Sequence, residues 1–489
     1  MQTPWSGAAS EADACLLVRR PHGVTPATVL ALLLLAAALA AAAYTAWYTH
    51  PAILLTGGIG LSVFSGNWTH LGLPELVAPD RLLIAAAIAG VILRSPTVRQ
   101  GPSVIIQPIH WLLAVTVAYV VASALAAGTF DKAAMLRLTD RVGAIPFLLF
   151  ALAPVIFRSP RHRSLLLTCL VMVGLYLSLT AVFEITGAKA LVIPRYISDP
   201  AIGIHQDRAR GPFVEAVGNG TAIYIGLVAA VIATFTWTGR WKRYLAIATV
   251  ILSAAALLFT LTRSVWLGAM VATAVTMLAH PALRRWMVPV GVIAVLVTAT
   301  SLVVVPGLAA RAQTRESQQQ PIWDRRNLSR AALNMVEARP LFGFGWDSFT
   351  KVGTDYFQQG DYPLTAGVGV VVHSAYLSHL AELGLVGTSL WLLSTILAVG
   401  LAFGRRAPPD LEPWRYGLLA IAAMSLIVSG FVYPYMFATI VLWTWAGILY
   451  ASGSRRARPR RVPSAWPPRA MAATHGRIAA SLGGERGDL

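Results

Sequence analysis

Long apolar runs constrain this sequence more than any other feature. Stretches of about 20 apolar residues, separated by arginine clusters or by turns with Pro and Gly, recur from Thr25 to Tyr450. A run of this length lets an α-helix cross the hydrocarbon core of a bilayer. Only 12% of the 489 residues are charged, about half the share found in soluble proteins. The pattern predicts an all-α, polytopic membrane protein.

Basic residues cluster in short segments between the apolar runs. Loops that stay in the cytoplasm are enriched in Lys and Arg, so these segments are assigned to the inside. The same bias explains the net charge of +18, and we therefore expect no nucleic-acid partner. Five segments carry the signature: RSPTVRQ at 94–100, RSPRHR at 158–163, TGRWKR at 238–243, HPALRR at 280–285 and GRRAPP at 404–409.

The other connections are assigned to the outer face, and two of them are long. Residues 188–215 form one external loop, and residues 307–372 mix acidic and basic residues in nearly equal number, which favours a folded external domain. Residues 1–24 are interpreted as a cytoplasmic N-terminal tail. Residues 453–489, rich in Arg and Pro, are interpreted as a basic, disordered cytoplasmic tail. Residues 25–452 then form the transmembrane domain.

The number of crossings depends on the first apolar segments. This layout places Arg81 outside and gives about eleven helices after it. Residues 29–47 and 51–65 both look apolar, although a cytoplasmic N-terminus allows only one crossing before Arg81. Because residues 51–65 are few and include Gly, they form a re-entrant or interfacial piece, or else the N-terminus is outside. We expect about twelve helices with both ends inside.

A single arginine interrupts the apolar run LLFTLTRSVWLGAM at residues 257–270. A guanidinium is costly in hydrocarbon, yet every other residue between Arg243 and Arg284 is uncharged. The run on each side of Arg263 is long enough for one crossing, at about 1.5 Å per residue. Arg263 is therefore expected at the tip of a helical hairpin on the outer face. A lone arginine there usually reaches lipid headgroups. Further polar residues on the same face would instead favour a functional site.

Two further polar segments fall on the outer face. HQDRARGPFVEAVGNG, at residues 205–220, carries Arg208 and Arg210. HSAYLSHLAELGLVG begins with His373, and Ser374 has the residue type of a helix N-cap. Taken alone, the first segment is equally well explained as an ordinary polar loop. A single histidine in a loop, such as His373, is more often structural or merely solvated than catalytic. The location of both segments beside Arg263 on one face favours a shared site.

These residue types suit a particular chemistry. A guanidinium offers a planar fork of donors that binds phosphate oxygens bidentately. A histidine accepts a proton near neutral pH. Together they indicate attack by a hydroxyl on a phosphate-activated donor held by a lipid.

Other chemistries leave no recognisable motif. The sequence has no G-x-x-x-x-G-K-[ST] loop, no G-x-S-x-G elbow and no His-rich metal constellation. Its two cysteines, Cys15 and Cys169, have neither metal-ligand nor disulfide spacing. We expect no metal and no cofactor. FGFGWDSF at residues 342–349 lacks the strand and helix that flank a phosphate loop, so it is expected to form a tight turn.

Four segments, in their order along the chain, resemble the successive motifs of the O-antigen ligase and O-antigen polymerase superfamily of bacterial membrane glycosyltransferases. The resemblance covers about Arg208 to Gly387 and includes the long external loop. It implies a C-type glycosyltransferase fold in the cytoplasmic (inner) membrane, with the active site facing the periplasm or the cell exterior. The segments are DRARGPF, TLTRSVWLG, RNLSRAALNMVEARPLFGFGWDSF and HSAYLSHLAELGLVG.

The resemblance implies transfer of a preassembled glycan from undecaprenyl diphosphate to an acceptor hydroxyl on a glycan, a lipid or another molecule. By motif, Arg208 and Arg263 would bind the donor diphosphate, and Arg210 would assist them. His373 would orient or deprotonate the acceptor hydroxyl. The family uses neither a nucleotide sugar nor an essential metal.

The chain departs from the family pattern at two places. Glu215 and Ala216 stand where many members have an Asn-Pro-Asn stretch, and Val265 and Trp266 follow the hairpin arginine where small residues are common. Three alternatives stay open beside a ligase: a polymerase that extends a lipid-linked glycan, a transporter or flippase of such a glycan, and a scaffold without catalysis. Charged residues gathered outside, rather than spread through the helices, favour an enzyme.

Overall fold

The structure is a computed structural model of the 489-residue chain. The tail predicted at residues 1–24, and the tail predicted at 453–489 beyond residue 454, lie outside the described residues. Apart from isolated positions within 33–41 and 307–313, the structure describes residues 43–74, 78–94, 106–203, 207–304, 320–357, 372–405, 407–431 and 435–454.

All regular structure in these residues is helical, without a strand, which confirms the all-α class. Eight of the described helices are long and apolar enough to cross a bilayer, and three more are apolar but shorter. A polytopic membrane protein is thus confirmed, whereas the count of twelve is not. The helices are α1 (Pro51–Leu61), α2 (Pro79–Arg94), α3 (Pro108–Ala126), α4 (Lys132–Arg137), α5 (Ala144–Ile156), α6 (Pro160–Thr186), α7 (Ala216–Thr236), α8 (Arg240–Phe259), α9 (Arg263–Ala279), α10 (Pro281–Arg284), α11 (Met287–Val304), α12 (Gln320–Ala338), α13 (Phe349–Val352), α14 (Ala375–Gly404), α15 (Glu412–Ser429) and α16 (Met436–Ser454).

Local sequence signals set where the helices begin and end, as α6 illustrates. The Ser159 hydroxyl accepts a hydrogen bond from the Arg161 backbone N–H, and Pro160 occupies the first turn, where its missing N–H costs nothing. The helix ends before Gly187, which adopts a left-handed conformation with φ 80°. The loop that carries Arg208 therefore leaves the bundle at a defined point.

Helix α7 lies at the centre of the bundle and α11 at its edge. In their most apolar windows, 83% of the residues of α7 are buried and none of those of α11. α6 and α7 approach closely because Gly174 faces Gly226: a Cβ on Gly226 would lie 2.4 Å from the Gly174 Cα. Small residues are the usual means of close packing between membrane helices. α7 is thereby a firm support for the loop that precedes it.

Helix α1 and the 3-10 turn after it pass from one end of the bundle to the other. At one end the rings of His50 and His162 lie 3.9 Å apart, within the basic segment that begins α6. At the other end Asn67 Nδ2 donates to the Pro212 carbonyl oxygen at 3.0 Å. Residues 51–65 therefore lie between contacts at the two ends of the described bundle. If the helix before His50 also crosses, the N-terminus lies on the Pro212 side, contrary to the preferred layout.

The two ends of the bundle carry different connections. At the end with the basic segments, which we call the basic end, Arg163 Nη2 lies 2.5 Å from Asp410 Oδ2. Arg405 at the same end donates to the Tyr450 carbonyl oxygen at 2.8 Å. The opposite end, which we call the site end, holds the connection between α6 and α7 and the turn between α8 and α9.

Helix α14 is broken at Gly384, whose φ of 65° and ψ of −172° are not helical. The expected tight turn at residues 342–349 packs against this break. Gly343 (φ 67°) and Gly345 (φ 100°) supply the left-handed backbone conformations of the turn. The tight turn is confirmed, and its neighbours are protein backbone groups of α14.

Candidate active site

The hairpin of α8 and α9 places Arg263 at its tip, as predicted. α8 ends at Phe259 and α9 begins at Arg263, so only a short turn separates them. The tight turn contains a left-handed backbone conformation. Because no glycine is present to adopt it, Leu261 does so (φ 46°). Trp266 Nε1 donates to the Leu257 carbonyl oxygen at 2.9 Å and thus satisfies an acceptor at the end of α8. The Arg263 side chain is exposed.

The loop before α7 brings Arg208 to this hairpin. The Ala209 backbone N–H donates to the Phe259 carbonyl oxygen at 3.0 Å, which ties the loop to the end of α8. Arg208 Nη1 lies 3.4 Å from Thr262 Oγ1, and Thr262 directly precedes Arg263. Two of the three arginines expected to bind a diphosphate thus lie on one continuous surface.

Arg210 is used differently, within its own loop. The residue is only 2% exposed. Burial lowers the pKa of its guanidinium, and the nearby carboxylates of Glu184 and Asp199 act in the opposite direction. These contacts shape the loop that carries Arg208. The guanidinium donates to the backbone carbonyl oxygens of Ile202 (2.5 Å), Asp199 (2.7 Å) and Ile197 (2.8 Å).

Glu215, the acidic departure from the family pattern, begins α7 beside the same surface. Its Oε2 accepts from the Gly218 backbone N–H at 2.8 Å, as an N-cap, and from the Tyr435 hydroxyl at 2.9 Å. The carboxylate is thereby fixed in position. Its charge also acts on the Arg325 guanidinium, where it partly offsets a lowering of the pKa that has other causes.

Arg325 is a candidate site residue that the sequence motifs did not indicate. It lies on α12, inside the stretch that was expected to form an external domain. Partial burial and the positive charge of Arg263 lower the pKa of Arg325, and Glu215 opposes them. The available signal was helical periodicity: Leu328, Ala332 and Met335 recur at spacings of four and three and are buried. Arg325 lies three residues before Leu328, at the start of this same side of the helix, where its side chain is exposed.

The positive charge of Arg325 acts on His373. This histidine directly precedes α14, whose predicted N-cap is confirmed: Ser374 Oγ accepts from the Leu377 backbone N–H at 3.4 Å. Partial burial, followed by the positive charge of Arg325, lowers the pKa of His373 below its usual value of 6.5, while Asp324 acts in the opposite direction. The imidazole is therefore neutral at neutral pH.

We call Arg208, Arg263 and Arg325 the cationic cluster. Arg325 connects this cluster to His373 electrostatically. The charge of Arg263 lowers the pKa of Arg325, and the charge of Arg325 lowers the pKa of His373. Such a surface can bind a diphosphate with several forks of donors beside a neutral proton acceptor. Within the described parts of the chain, no group of three His, Cys, Asp or Glu side chains could hold a metal ion.

Part of the chain matches a known protein family. Residues 248–392 match the family model described as O-antigen ligase, which confirms the predicted resemblance to the O-antigen ligase and polymerase superfamily. The matched segment contains Arg263, Arg325 and His373, whereas Arg208 precedes it. No curated protein sequence matches the chain.

Proposed function

We propose that this chain, whose residues 248–392 form an O-antigen ligase domain, transfers a preassembled glycan from undecaprenyl diphosphate to an acceptor hydroxyl. The family supports activity of the ligase or polymerase type by a membrane glycosyltransferase, and the specific donor and the ligase reaction are our proposal. The observation that carries it is the contact of Arg208 with the hairpin turn before Arg263, 3.4 Å from Nη1 to Thr262 Oγ1. The charges of Arg263 and Arg325 and the imidazole of His373 also influence one another.

In the proposed reaction the acceptor oxygen attacks the anomeric carbon of the first sugar of the glycan. A bond forms between them as the bond from that carbon to the phosphate oxygen breaks, and the electron pair leaves with undecaprenyl diphosphate. The proton of the acceptor hydroxyl passes to His373. Negative charge grows on the leaving diphosphate, and the cationic cluster stabilises it. The guanidinium groups supply this stabilisation without a metal or a nucleotide.

His373 is suited to accept the proton because its environment disfavours the charged imidazolium. Partial burial and the Arg325 charge lower its pKa, so the neutral form prevails at neutral pH. A base of this kind contributes most when it is neutral near the working pH. The rate should therefore fall when the pH drops through the pKa of His373.

The basic end of the bundle indicates the membrane side of the proposed reaction. The cationic cluster lies at the site end of the bundle, opposite the basic end. Basic loops of bacterial membrane proteins stay in the cytoplasm. We therefore place the site at the periplasmic or outer face of the cytoplasmic membrane, where the lipid bilayer holds the donor.

Two alanine variants test the proposal directly. Arg263→Ala and His373→Ala should each lower the transfer rate by about 100-fold or more. The assay uses membranes supplied with the undecaprenyl-diphosphate-linked glycans extracted from the same cells, at matched protein level. Arg284→Ala, at the basic end of the same hairpin, is the control and should keep full activity. Full activity of both site variants would contradict the proposed site.

Surface glycans of a deletion strain separate ligase from polymerase. Loss of all acceptor-attached polymer is the outcome expected of a ligase. Retention of single attached units would instead assign a polymerase that extends a lipid-linked glycan.

Reconstituted vesicles separate both enzymes from a transporter. Formation of a new glycosidic bond is the expected result. Movement of the lipid-linked glycan across the bilayer without such a bond would assign a flippase and refute the transferase.

A further inference from the structure

The break in α14 is filled by another part of the chain. At Gly384 the helix leaves its path, and residues 340–349, which we call the insertion turn, occupy the gap. A helix break strands backbone donors and acceptors that would otherwise pair within the helix. The insertion turn pairs them: Leu385 N–H with Pro340 C=O (2.8 Å), Val386 N–H with Leu341 C=O (3.1 Å), Phe344 N–H with Ala381 C=O (3.2 Å) and Gly345 N–H with Glu382 C=O (2.7 Å).

Close backbone contact at this break requires glycine on both partners. Gly343 (φ 67°) and Gly384 (φ 65°) both lie in the left-handed region. A Cβ on Gly343 would lie 2.4 Å from the Glu382 carbonyl oxygen, and a Cβ on Gly384 would lie 2.3 Å from the Leu341 carbonyl oxygen. A side chain at either position would therefore disrupt this contact.

Glu382 adds a side-chain attachment to this backbone contact. The residue is 5% exposed, and each carboxylate oxygen accepts one backbone N–H of the insertion turn. Oε2 accepts from Asp347 at 3.1 Å, and Oε1 accepts from Phe349 at 3.2 Å. Two backbone N–H groups therefore depend on one buried carboxyl group, and a buried donor that loses its acceptor is costly.

The far side of the insertion turn is attached to α4 and to the connection between α3 and α4. Trp346 Nε1 donates to the Ala134 carbonyl oxygen at 3.2 Å, and Thr129 Oγ1 donates to the Trp346 carbonyl oxygen at 2.6 Å. Arg137 forms an ion pair with Asp347. The turn is thus attached to α14 on one side and to the bundle on the other.

Both helices that carry site residues are attached to this turn. α12, with Arg325 near its start, ends at Ala338, directly before the turn. α14, with His373 before its first residue, holds Glu382 in its third turn. A buried cluster joins α12, the turn and α14. Its members are Leu328, Ala331, Ala332, Met335, Phe349, Val372 and Ala381.

We propose that Glu382 is a positioning residue for the transfer reaction: by holding the insertion turn in the break of α14, it fixes Arg325 on α12 against His373 at the start of α14. The inference rests on the proposed function, since the spacing of these two residues matters only if they share one active site. Glu382 acts through the turn and touches neither substrate.

The spacing can be measured without any substrate. Diethyl pyrocarbonate acylates the neutral imidazole, so the pH dependence of His373 labelling, read by mass spectrometry on the full chain in detergent, gives its midpoint. Wild type should have a midpoint below 6.5. In Glu382→Gln, one amide N–H faces a backbone N–H, the attachment weakens, and the midpoint should rise by about half a pH unit. Transfer kcat should fall by about tenfold while the donor KM changes little.

A double-variant comparison decides whether Glu382 acts through Arg325. Arg325→Gln should also raise the His373 midpoint, and adding Glu382→Gln should raise it no further. An unchanged midpoint in Glu382→Gln, or shifts that simply add, would overturn the inference. Asp410→Asn removes a carboxylate paired with Arg163 at the basic end and should leave the midpoint unchanged.

A second variant keeps the inference testable if Glu382→Gln does not fold. Arg137→Gln removes the ion pair on the other side of the insertion turn and should shift the midpoint in the same direction by a smaller amount. No shift in Arg137→Gln would then count against the inference. Activity of His373→Ala would refute the proposed function instead, while the labelling midpoints would still report the spacing.

Discussion

The two halves of the charged surface are held in place by different means. Arg208 and Arg263 lie on a loop and a hairpin joined by a backbone hydrogen bond of 3.0 Å between Ala209 and Phe259, beside the central helix α7. Arg325 lies on α12 and His373 lies at the start of α14, and both helices are held by the insertion turn at residues 340–349. The arginine half is local and firmly supported, whereas the histidine half depends on a remote contact.

Changes in the arginine half should therefore affect binding of the donor, and changes in the histidine half should affect the proton transfer. A change in the arginine half removes charge or alters geometry at the surface that is proposed to hold the diphosphate. A change in the histidine half alters the spacing between a charge and a proton acceptor, and thus the pH dependence. The following predictions test this division in order of expected effect.

The largest effect is expected for Arg263→Lys, which keeps the charge and removes the fork. Transfer kcat/KM should fall by about 100-fold because a compact ammonium does not reproduce bidentate binding. Initial rates in membranes at matched protein level measure this, and Arg284→Lys serves as the control. A variant with the wild-type rate would mean that charge alone suffices in the arginine half.

Arg325→Gln should lower kcat by about tenfold and also move the pH profile. The Arg325 charge lowers the pKa of His373, so its removal raises that pKa. Because the neutral imidazole is the active form, the acid limb of kcat against pH should move to higher pH. A profile that keeps its acid limb while kcat falls would separate Arg325 from His373 and break the proposed histidine half.

Gly211→Ala tests how firmly the loop of the arginine half is held. Gly211 has φ 52°, and a Cβ there would lie 2.4 Å from Asn219 Oδ1, so the loop must shift. The free energy of unfolding should fall by about 1 to 3 kcal/mol, and transfer several-fold. Thermal unfolding in detergent measures the first quantity.

Gly187→Ala is the matched control for this variant. Gly187 has φ 80°, but nothing lies within 4 Å of the added Cβ. Only the backbone strain of about 1 kcal/mol should remain, with transfer unchanged. Equal loss of activity in the two variants would show that strain, and not displacement of Arg208, explains the effect.

The smallest effect is expected for Glu215→Gln. The amide oxygen can still accept from Gly218 and Tyr435, so the start of α7 should persist. Loss of the negative charge beside the cationic cluster should lower the donor KM by roughly twofold to fivefold. A higher donor KM would mean that the carboxylate orders Arg325 more than it opposes the donor.

Sequence patterns predicted the site only where signals are local. The turn at Arg263 followed from the length of two apolar runs, and the N-cap at Ser374 from its residue type. Arg210 was expected to assist with the diphosphate because of its place in the motif, but its guanidinium is used by three loop carbonyl groups. A motif gives residue identity, and it does not give the direction in which a loop folds.

The departures Val265 and Trp266 also received a physical explanation only from the structure. Trp266 bonds the end of α8, and Val265 packs against α7, where a Cβ on Gly220 would lie 2.6 Å from Val265 Cγ1. These larger residues fill space between helices that close packing would otherwise leave open. They act on the hairpin that presents Arg263.

The sequence by itself determined the all-helical membrane architecture, the side on which the basic loops gather and the hairpin at Arg263. Each follows from the order of apolar and basic segments along the chain: apolar runs of sufficient length cross the bilayer, and short loops rich in Lys and Arg stay on one side. Only the tertiary structure decided that Arg325 joins the site, that α14 breaks at Gly384 and that Glu382 bonds the inserted turn. These features pair residues far apart in the chain, and such pairing depends on packing and backbone hydrogen bonds that no local pattern encodes.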